Sequence, residues 1–332
     1  MMKRRLGSSV VNPIGLGCMS LSHAYGEPPS PADGARLLNA ALDLGYDHLD
    51  TAALYGFGTN ERLIGEAIAH RRADYFLASK CGMTGVDGTR VIDGRPETLR
   101  RTIEESLTRL KTDRIDLYYL HRWDRSVPIE DSVGELGRMV DAGKILAIGL
   151  SEVSAATLRR ARAVHPIAAV QNEYSLWSRN VELGVLEATR ELGATLVAFS
   201  PVARGFLAGG VASPGALVER DIRRGMPRFQ PGNFERNLAL LQILRDQADA
   251  LHLTPAQLCL RWLLTRGEHI VTIPGTTSRA HLEENLGVTD AALPPECEAA
   301  LETAFAPSRI SGPRYPAATQ AEIDTEEFGE AD

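Results

Sequence analysis
An α/β fold of the (β/α)8 TIM-barrel type is what this sequence predicts, on three observations. Short aliphatic runs alternate with longer helical patterns along the 332 residues. Eight such runs can be counted, each followed by a helix, which is the rhythm of a parallel sheet wrapped in helices. No G-x-G-x-x-G follows the first run. Gly15-Leu16-Gly17 leads instead into Cys18-Met19-Ser20, which disfavours a doubly wound dinucleotide-binding sheet.

The elements follow in order. Ile14–Gly17 reads as the first strand, and the residues before it, around Leu6-Gly7-Ser8-Ser9-Val10, as a hairpin covering the barrel bottom. Ser30-Pro31-Ala32-Asp33 opens a helix, with Ser30 as N-cap and Pro31 in the first turn, and Gly45 closes it. Tyr46–Asp50 is the second strand, and a helix begins near Asn60. Tyr75–Ser79 is the third strand. Pro96 starts a helix whose Leu99, Ile103, Leu107 and Leu110 share a face. Ile115–Leu120 is the fourth strand, followed by a helix over 132–141. Lys144–Leu150 is the fifth, and Ser154 caps the next helix. Ile167–Val170, Thr195–Phe199 and Ile270–Ile273 complete the eight strands, with a helix over 185–192 between the first two of these. A long irregular stretch over 200–234 leads into helices over 235–250 and 255–266. Extra C-terminal helices begin near Ser278 and Pro294. The expected organisation is a single barrel over 1–310 and an acidic C-terminal tail over 311–332.

Composition narrows the function classes. The chain carries 36 Lys and Arg against 43 Asp and Glu, a net charge of −7. Six acids follow Arg314 with no base among them, so the acidity belongs to a tail expected to be solvated. No basic stripe supports nucleic-acid binding. No run approaches ~18 apolar residues, and the N-terminus lacks an apolar signal region, so no membrane partner is expected. Cys18, Cys81, Cys259 and Cys297 are far apart and form no CxxC, which suits a cytoplasmic protein without a disulfide framework. The scattered histidines have no i, i+4 partners, so no metal is expected. Gly149-Leu150-Ser151 lacks the trailing glycine of a nucleophile elbow.

Barrel chemistry gathers at the C-terminal ends of strands. Those ends hold Asp50, Lys80, His121, Ser151-Glu152, Gln171-Asn172, Ser200-Pro201 and Pro274-Gly275-Thr276, with Tyr55 in the second loop. Strand alternation places His48 on the face of Asp50, where it reads as a core-lining histidine. Read singly, a lysine at a strand end is solvated or salt-bridged. Beside a tyrosine and an aspartate it can do more. An ammonium stabilises a phenolate and lowers the phenol's pKa from its usual ~10. Asp50 would hold that ammonium, and His121 could orient a carbonyl. Tyr55 could then protonate a developing alkoxide. None of the four can deliver hydride, so a cofactor is required.

These residues resemble the catalytic tetrad of the aldo-keto reductases: Asp50-Thr51-Ala52-x-x-Tyr55-Gly56, Lys80 and His121. The resemblance runs from Gly15-Leu-Gly-Cys-Met19 to Leu282-Glu-Glu-Asn285. The segments Phe199-Ser-Pro-Val-Ala-Arg-Gly-Phe-Leu-Ala-Gly209 and Ile273-Pro-Gly-Thr276 are similar to the branch that includes perakine- and pyridoxal-reductase-like enzymes. The resemblance implies NADPH-dependent reduction of an aldehyde or ketone to an alcohol, reversibly, with NADP(H) extended across the barrel mouth. It implies that Ser151 and Gln171 hold the nicotinamide amide and that Phe199 stacks on the ring, with Gly17, Met19 and Pro201 in the same wall. Ser200, Arg204, Gly205 and Leu207 would follow the pyrophosphate. Gly275, Thr276, Ser278 and Arg279 would hold the 2′-phosphate end, where Ser278 also reads as a helix N-cap suited to an anion. Glu284 and Asn285 would contact adenine. Glu152 stands where the family often has Asn, and is expected to accept from the amide NH₂. His281 stands where many members have Arg, which leaves Arg279 to supply the charge. Tyr25 and Trp123 are the expected walls of the substrate pocket, and part of 200–234 is expected to order over the pyrophosphate. The alternative implied by the resemblance is an NADP(H)-binding regulatory or interaction subunit with little turnover.

Overall fold
In the computed structural model, residues 2–86 and 88–329 are described. The strands are β1 (Arg4–Leu6), β2 (Ser9–Val11), β3 (Leu16–Gly17), β4 (His48–Asp50), β5 (Phe76–Cys81), β6 (Met83–Val86), β7 (Thr89–Ile92), β8 (Leu117–Leu120), β9 (Ile148–Ser151), β10 (Ile167–Glu173), β11 (Thr195–Phe199) and β12 (Ile270–Thr272). The helices are α1 (Pro31–Leu44), α2 (Thr59–Ile68), α3 (Pro96–Leu110), α4 (Ile129–Asp141), α5 (Ala155–Val164), α6 (Val185–Leu192), α7 (Asn233–Ala250), α8 (Pro255–Thr265), α9 (Arg279–Leu286), α10 (Pro295–Ala304) and α11 (Ala317–Gln320).

Eight strands form one parallel sheet in the order β12-β11-β10-β9-β8-β5-β4-β3. Parallel bridges Ile14↔Thr272 and Gly17↔Gly275 join its two ends, so the sheet curls into a barrel. Gly17 sits on that seam. A Cβ there would lie 2.7 Å from the Ile273 carbonyl oxygen, so only glycine lets the first and last strands meet. Two apolar layers result. One packs the outer strand faces against the helices. The other fills the barrel with Phe76, Leu117, Ala169, Val197 and Val271.

The hairpin of β1 and β2 belongs to the inner layer through Leu6 and Val11. Burying each such side chain contributes roughly 1.5–3 kcal/mol. Arg4 fastens the hairpin by donating to the carbonyls of Gly267, Ile270 and Leu264 at 2.8, 2.6 and 2.7 Å. The helix signals act locally as expected. Ser30 Oγ accepts from Asp33 N at 3.2 Å, and Gly45 ends α1 at φ +99°. Ser154 Oγ accepts from Thr157 N, opening α5.

Two elements depart from the expectation. The hairpin of β6 and β7 extends the loop after the third barrel strand. The acidic C-terminus, expected to be solvated, instead packs on the barrel through residue 326. Arg314, Tyr315, Ile323 and Thr325 are buried. Asp324 accepts from the backbone N–H and hydroxyl of Ser154, at the N-terminus of α5, and Glu326 accepts from Ala155 N. Carboxylates there meet unpaired helix donors and the positive end of the dipole, which explains the docking. Glu330 and Asp332 lie outside the described residues. No described helix is long and apolar enough to cross a membrane.

Candidate active site
The strand register sets the site. Asp50 is the last residue of β4, and Lys80 sits on β5 opposite Tyr119 of β8. Ser151 ends β9 opposite Gln171 of β10. His121 follows β8 directly, and Tyr55 follows β4 by five residues in a turn. These ends converge on a cavity of about 930 Å³ at the C-terminal mouth.

Lys80 is buried behind this cavity with its three ammonium protons committed. It forms an ion pair with Asp50 and donates to the Thr51 carbonyl at 2.8 Å and to the Tyr55 hydroxyl oxygen at 3.2 Å. Burial pulls its pKa down, but Asp50 and Tyr55 outweigh that and the net direction is up, so it stays an ammonium. Gln171 Nε2 donates to the other Asp50 oxygen at 2.7 Å. The His121 ring meets the Tyr55 ring edge-on at 5.9 Å. Burial, then Arg122, Lys80 and Arg90, hold His121 well below its ordinary pKa, so it is neutral. Its Nδ1 is buried with no protein partner among the described residues.

The phenol corrects one expectation. Burial pushes the Tyr55 pKa up, and Lys80 takes back only part of that rise. The resting group is a firmly protonated acid, and the nearby ammonium acts on the phenolate once the proton leaves. His48 is fully buried against Phe76, and burial lowers its pKa to about 4 despite Asp50. It lies in the core, as its alternation with Asp50 suggested.

Gly17, Met19, Tyr25, Ser151, Gln171, Phe199, Ser200, Pro201, Arg204, Gly205, Gly275, Thr276, Glu284 and Asn285 all line the cavity. Several expected residues do not. Glu152 adopts φ +52°, which turns it from the mouth into a buried network. There Arg314 donates to it at 2.8 Å, as do Thr325 and the Glu173 N–H. Leu207 is core. Ser278 occupies the N-cap position without a side-chain cap bond, and Arg279 is exposed beside Glu283. Trp123 is a loop anchor. Its indole N–H donates to Val127 O at 2.9 Å, and Arg125 and Arg160 lie over its ring. Arg204 lines the cavity, but its guanidinium is held by Glu173 at 2.7 Å and Tyr315 at 3.0 Å.

The 200–234 stretch is a chain of short 3₁₀ turns pinned by Trp177, Phe206, Phe229 and Phe234. Ser200, Ala203 and Arg204 have positive φ there, strain of a kind that clusters at binding sites. Asp221 accepts from Gly26 N, and Arg223 stacks on Tyr25, so this stretch and the first loop form one cover. Sequence reasoning missed Arg122, Arg90, Met83, Tyr315, Pro316 and Thr319 in the wall. Arg122 was available as the neighbour of His121. Arg90 depended on recognising the hairpin, whose Asp87-Gly88 pair was its signal.

The donor set fits a nicotinamide dinucleotide. One end offers Phe199, Ser151 and the Gln171 side-chain oxygen, which has no partner among the described residues, to an aromatic amide. The other offers Thr276, His281 and Asn285.

Comparison with known proteins agrees. The Aldo/keto reductase family model matches residues 13–304. The NADP(+) aldo-keto reductase yakc of Schizosaccharomyces pombe is 42% identical over 327 residues, covering 96% of each chain. Among solved structures, a glycerol dehydrogenase of Gluconobacter oxydans matches with TM-score 0.84 at 28% identity, covering 95% of this chain and 98% of its own. An aldo/keto reductase of Klebsiella pneumoniae, in complex with NADP and acetate, matches with TM-score 0.72 at 26% identity, covering 95% and 99%.

Proposed function
Since this chain belongs to the aldo/keto reductase family, we propose that it is an NADPH-dependent carbonyl reductase that converts an aldehyde or ketone to an alcohol. The observation that carries this reading is the commitment of Lys80 to Asp50, Thr51 and the Tyr55 hydroxyl oxygen together. NADPH, when bound along the cavity, supplies the hydride. Every other task falls to side chains of the chain.

Tyr55 is the general acid. Lys80 donates to its oxygen, which leaves the phenolic hydrogen free to point into the cavity. As negative charge grows on the substrate oxygen, that hydrogen transfers. The phenolate left behind faces an ammonium already in place, so no solvent need reorganise. Asp50 fixes the ammonium, and Gln171 fixes Asp50. Neutral His121 places a ring nitrogen beside the same oxygen without adding a second cation to Lys80. Ser151 and Gln171 hold the amide of the cofactor, Phe199 supports its ring, and Thr276, Asn285 and Glu284 receive the adenosine end.

The test is oxidation of NADPH with 4-nitrobenzaldehyde and a panel of other aldehydes, followed by absorbance. Turnover dependent on both reactants is expected. Tight NADPH binding without turnover of any carbonyl would replace this reading with a cofactor-binding subunit.

A further inference from the structure
Three cations stand around the reacting end of the cavity: Lys80, Arg90 and Arg122. Each of them depresses the pKa of His121. Lys80 is neutralised by Asp50, and Arg90 pairs with Glu322 of the C-terminal segment. Arg122 forms no ion pair among the described residues, and buried Glu152, which it influences through space, is paired with Arg314. It is half-buried in the cavity wall and spends one nitrogen, Nη1, on the His121 carbonyl at 2.6 Å and on Ser151 Oγ at 3.2 Å. Its Nε is buried without a partner, and its Nη2 makes no protein hydrogen bond. Nη2 is not buried, so it is the guanidinium nitrogen left to meet a ligand anion through a charge-assisted bond.

The acids on the cavity wall do not answer this charge. Asp50 belongs to Lys80 and Gln171, and Glu284 lies at the far end beside Thr254. Leu54 and Met83 add apolar surface to the cavity wall.

We propose that Arg122 anchors an anion subsite beside Tyr55 and that the substrate is an aldehyde or ketone carrying a carboxylate on an apolar body. This deepens the reductase reading and rests on it for the chemistry. Arg122 is the specificity-determining residue, and Arg90 adds attraction at the rim in competition with Glu322.

The test compares 3- and 4-carboxybenzaldehyde with their methyl esters, which differ little except in charge. For at least one isomer, the wild-type enzyme should prefer the acid by about tenfold or more in kcat/KM, with the difference carried by KM. Arg122→Met should abolish the preference and Arg122→Lys should retain part of it. Arg90→Met should reduce it less. NADPH affinity, titrated on each preparation, reports folding. If Arg122→Met does not fold, the Lys variant and Arg90→Met carry the same comparison. Equal use of acid and ester by the wild type, or a preference unmoved by these substitutions, overturns the proposal.

Binding of the corresponding hydroxymethylbenzoates and their esters to the NADP⁺-loaded protein separates the two readings. An acid preference that depends on Arg122, in a protein that turns over no aldehyde, would uphold the subsite and reject the reductase. No preference in binding would reject the subsite.

Discussion

Replacing Arg314 with leucine tests how the C-terminal segment is fastened. Arg314 is 3% exposed and lies between two buried carboxylates, Glu152 at 2.8 Å and Glu173 at 3.3 Å. Glu173 would keep Arg204 at 2.7 Å and the Ser178 hydroxyl. Glu152 would keep only the Thr325 hydroxyl and the Glu173 backbone N–H, with no cation in contact. Removing one member of a buried pair costs roughly 3–5 kcal/mol, because the other charge is stranded. Unfolding entropy near ~2.1 cal/mol/K per residue converts this, for a chain of 332 residues, to a fall in Tm of about 4–7 °C.

The acid dependence should change with it. In the wild type, burial tends to raise the Glu152 pKa, but Arg314 and Arg122 outweigh it and the net direction is down. Glu173 is lowered to about 2, against burial, by Arg204 and Arg314. Depressed carboxylates contribute stability that is present above the unfolded value of ~4.3 and is lost as pH falls through the folded one. Without Arg314, burial dominates at Glu152 and raises its pKa, so protonation relieves the stranded charge. The Tm gap between wild type and variant should therefore narrow between pH 7 and pH 4. Adding Glu152→Gln to Arg314→Leu should restore much of the loss at neutral pH. Calorimetry at several pH values makes the measurement. A gap below about 1 °C at pH 7, or one that widens on acidification, would refute the account of how this segment is held.

Three further outcomes are expected. Tyr55→Phe keeps the ring and removes the acid, so kcat should fall by at least ~10²-fold with NADPH affinity little changed; near wild-type reduction with hydride transfer rate-limiting would identify another acid. Arg279→Ala should weaken NADPH more than NADH in fluorescence titrations, by no more than about tenfold, because the side chain is exposed and already paired with Glu283; equal weakening would show that it does not read the phosphate. His48, with its pKa lowered to about 4 by burial, should make stability full above ~6.5 and declining as pH falls toward 4, by on the order of 3 kcal/mol; His48→Gln should flatten that part of the pH–stability curve.

The barrel and the polar residues on its rim were legible because both follow short-range rules. Strand alternation and strand ends put Asp50, Lys80, Ser151 and Gln171 on one rim before any distance was known. Ser30, Gly45 and Ser154 mark helix ends through bonds that span only a few residues. The hairpin of β6 and β7 was legible in principle, through Asp87-Gly88, but its alternation is brief and it sits in a stretch that also reads as a loop.

Glu152 and the C-terminal segment were not legible, and the reason is physical. A carboxylate at a strand end has two destinations, the mouth or the interior, and its composition is the same for both. What decides is a partner 162 residues away, Arg314, together with a backbone able to take φ +52°. No local pattern shows that pairing. The same distance argument explains the acidic tail. Its charges look solvated when counted along the chain, yet Asp324 and Glu326 end at the N-terminus of α5, where they accept from unpaired N–H groups. The consequence reaches the site. Tyr315, Pro316 and Thr319 line the cavity, and Arg314 and these two acids help hold their segment against the mouth. The pocket wall and the buried ion network are therefore one construction. A substitution at Glu152, outside the cavity, should alter which substrates enter it more than it alters the proton transfer proposed for Tyr55.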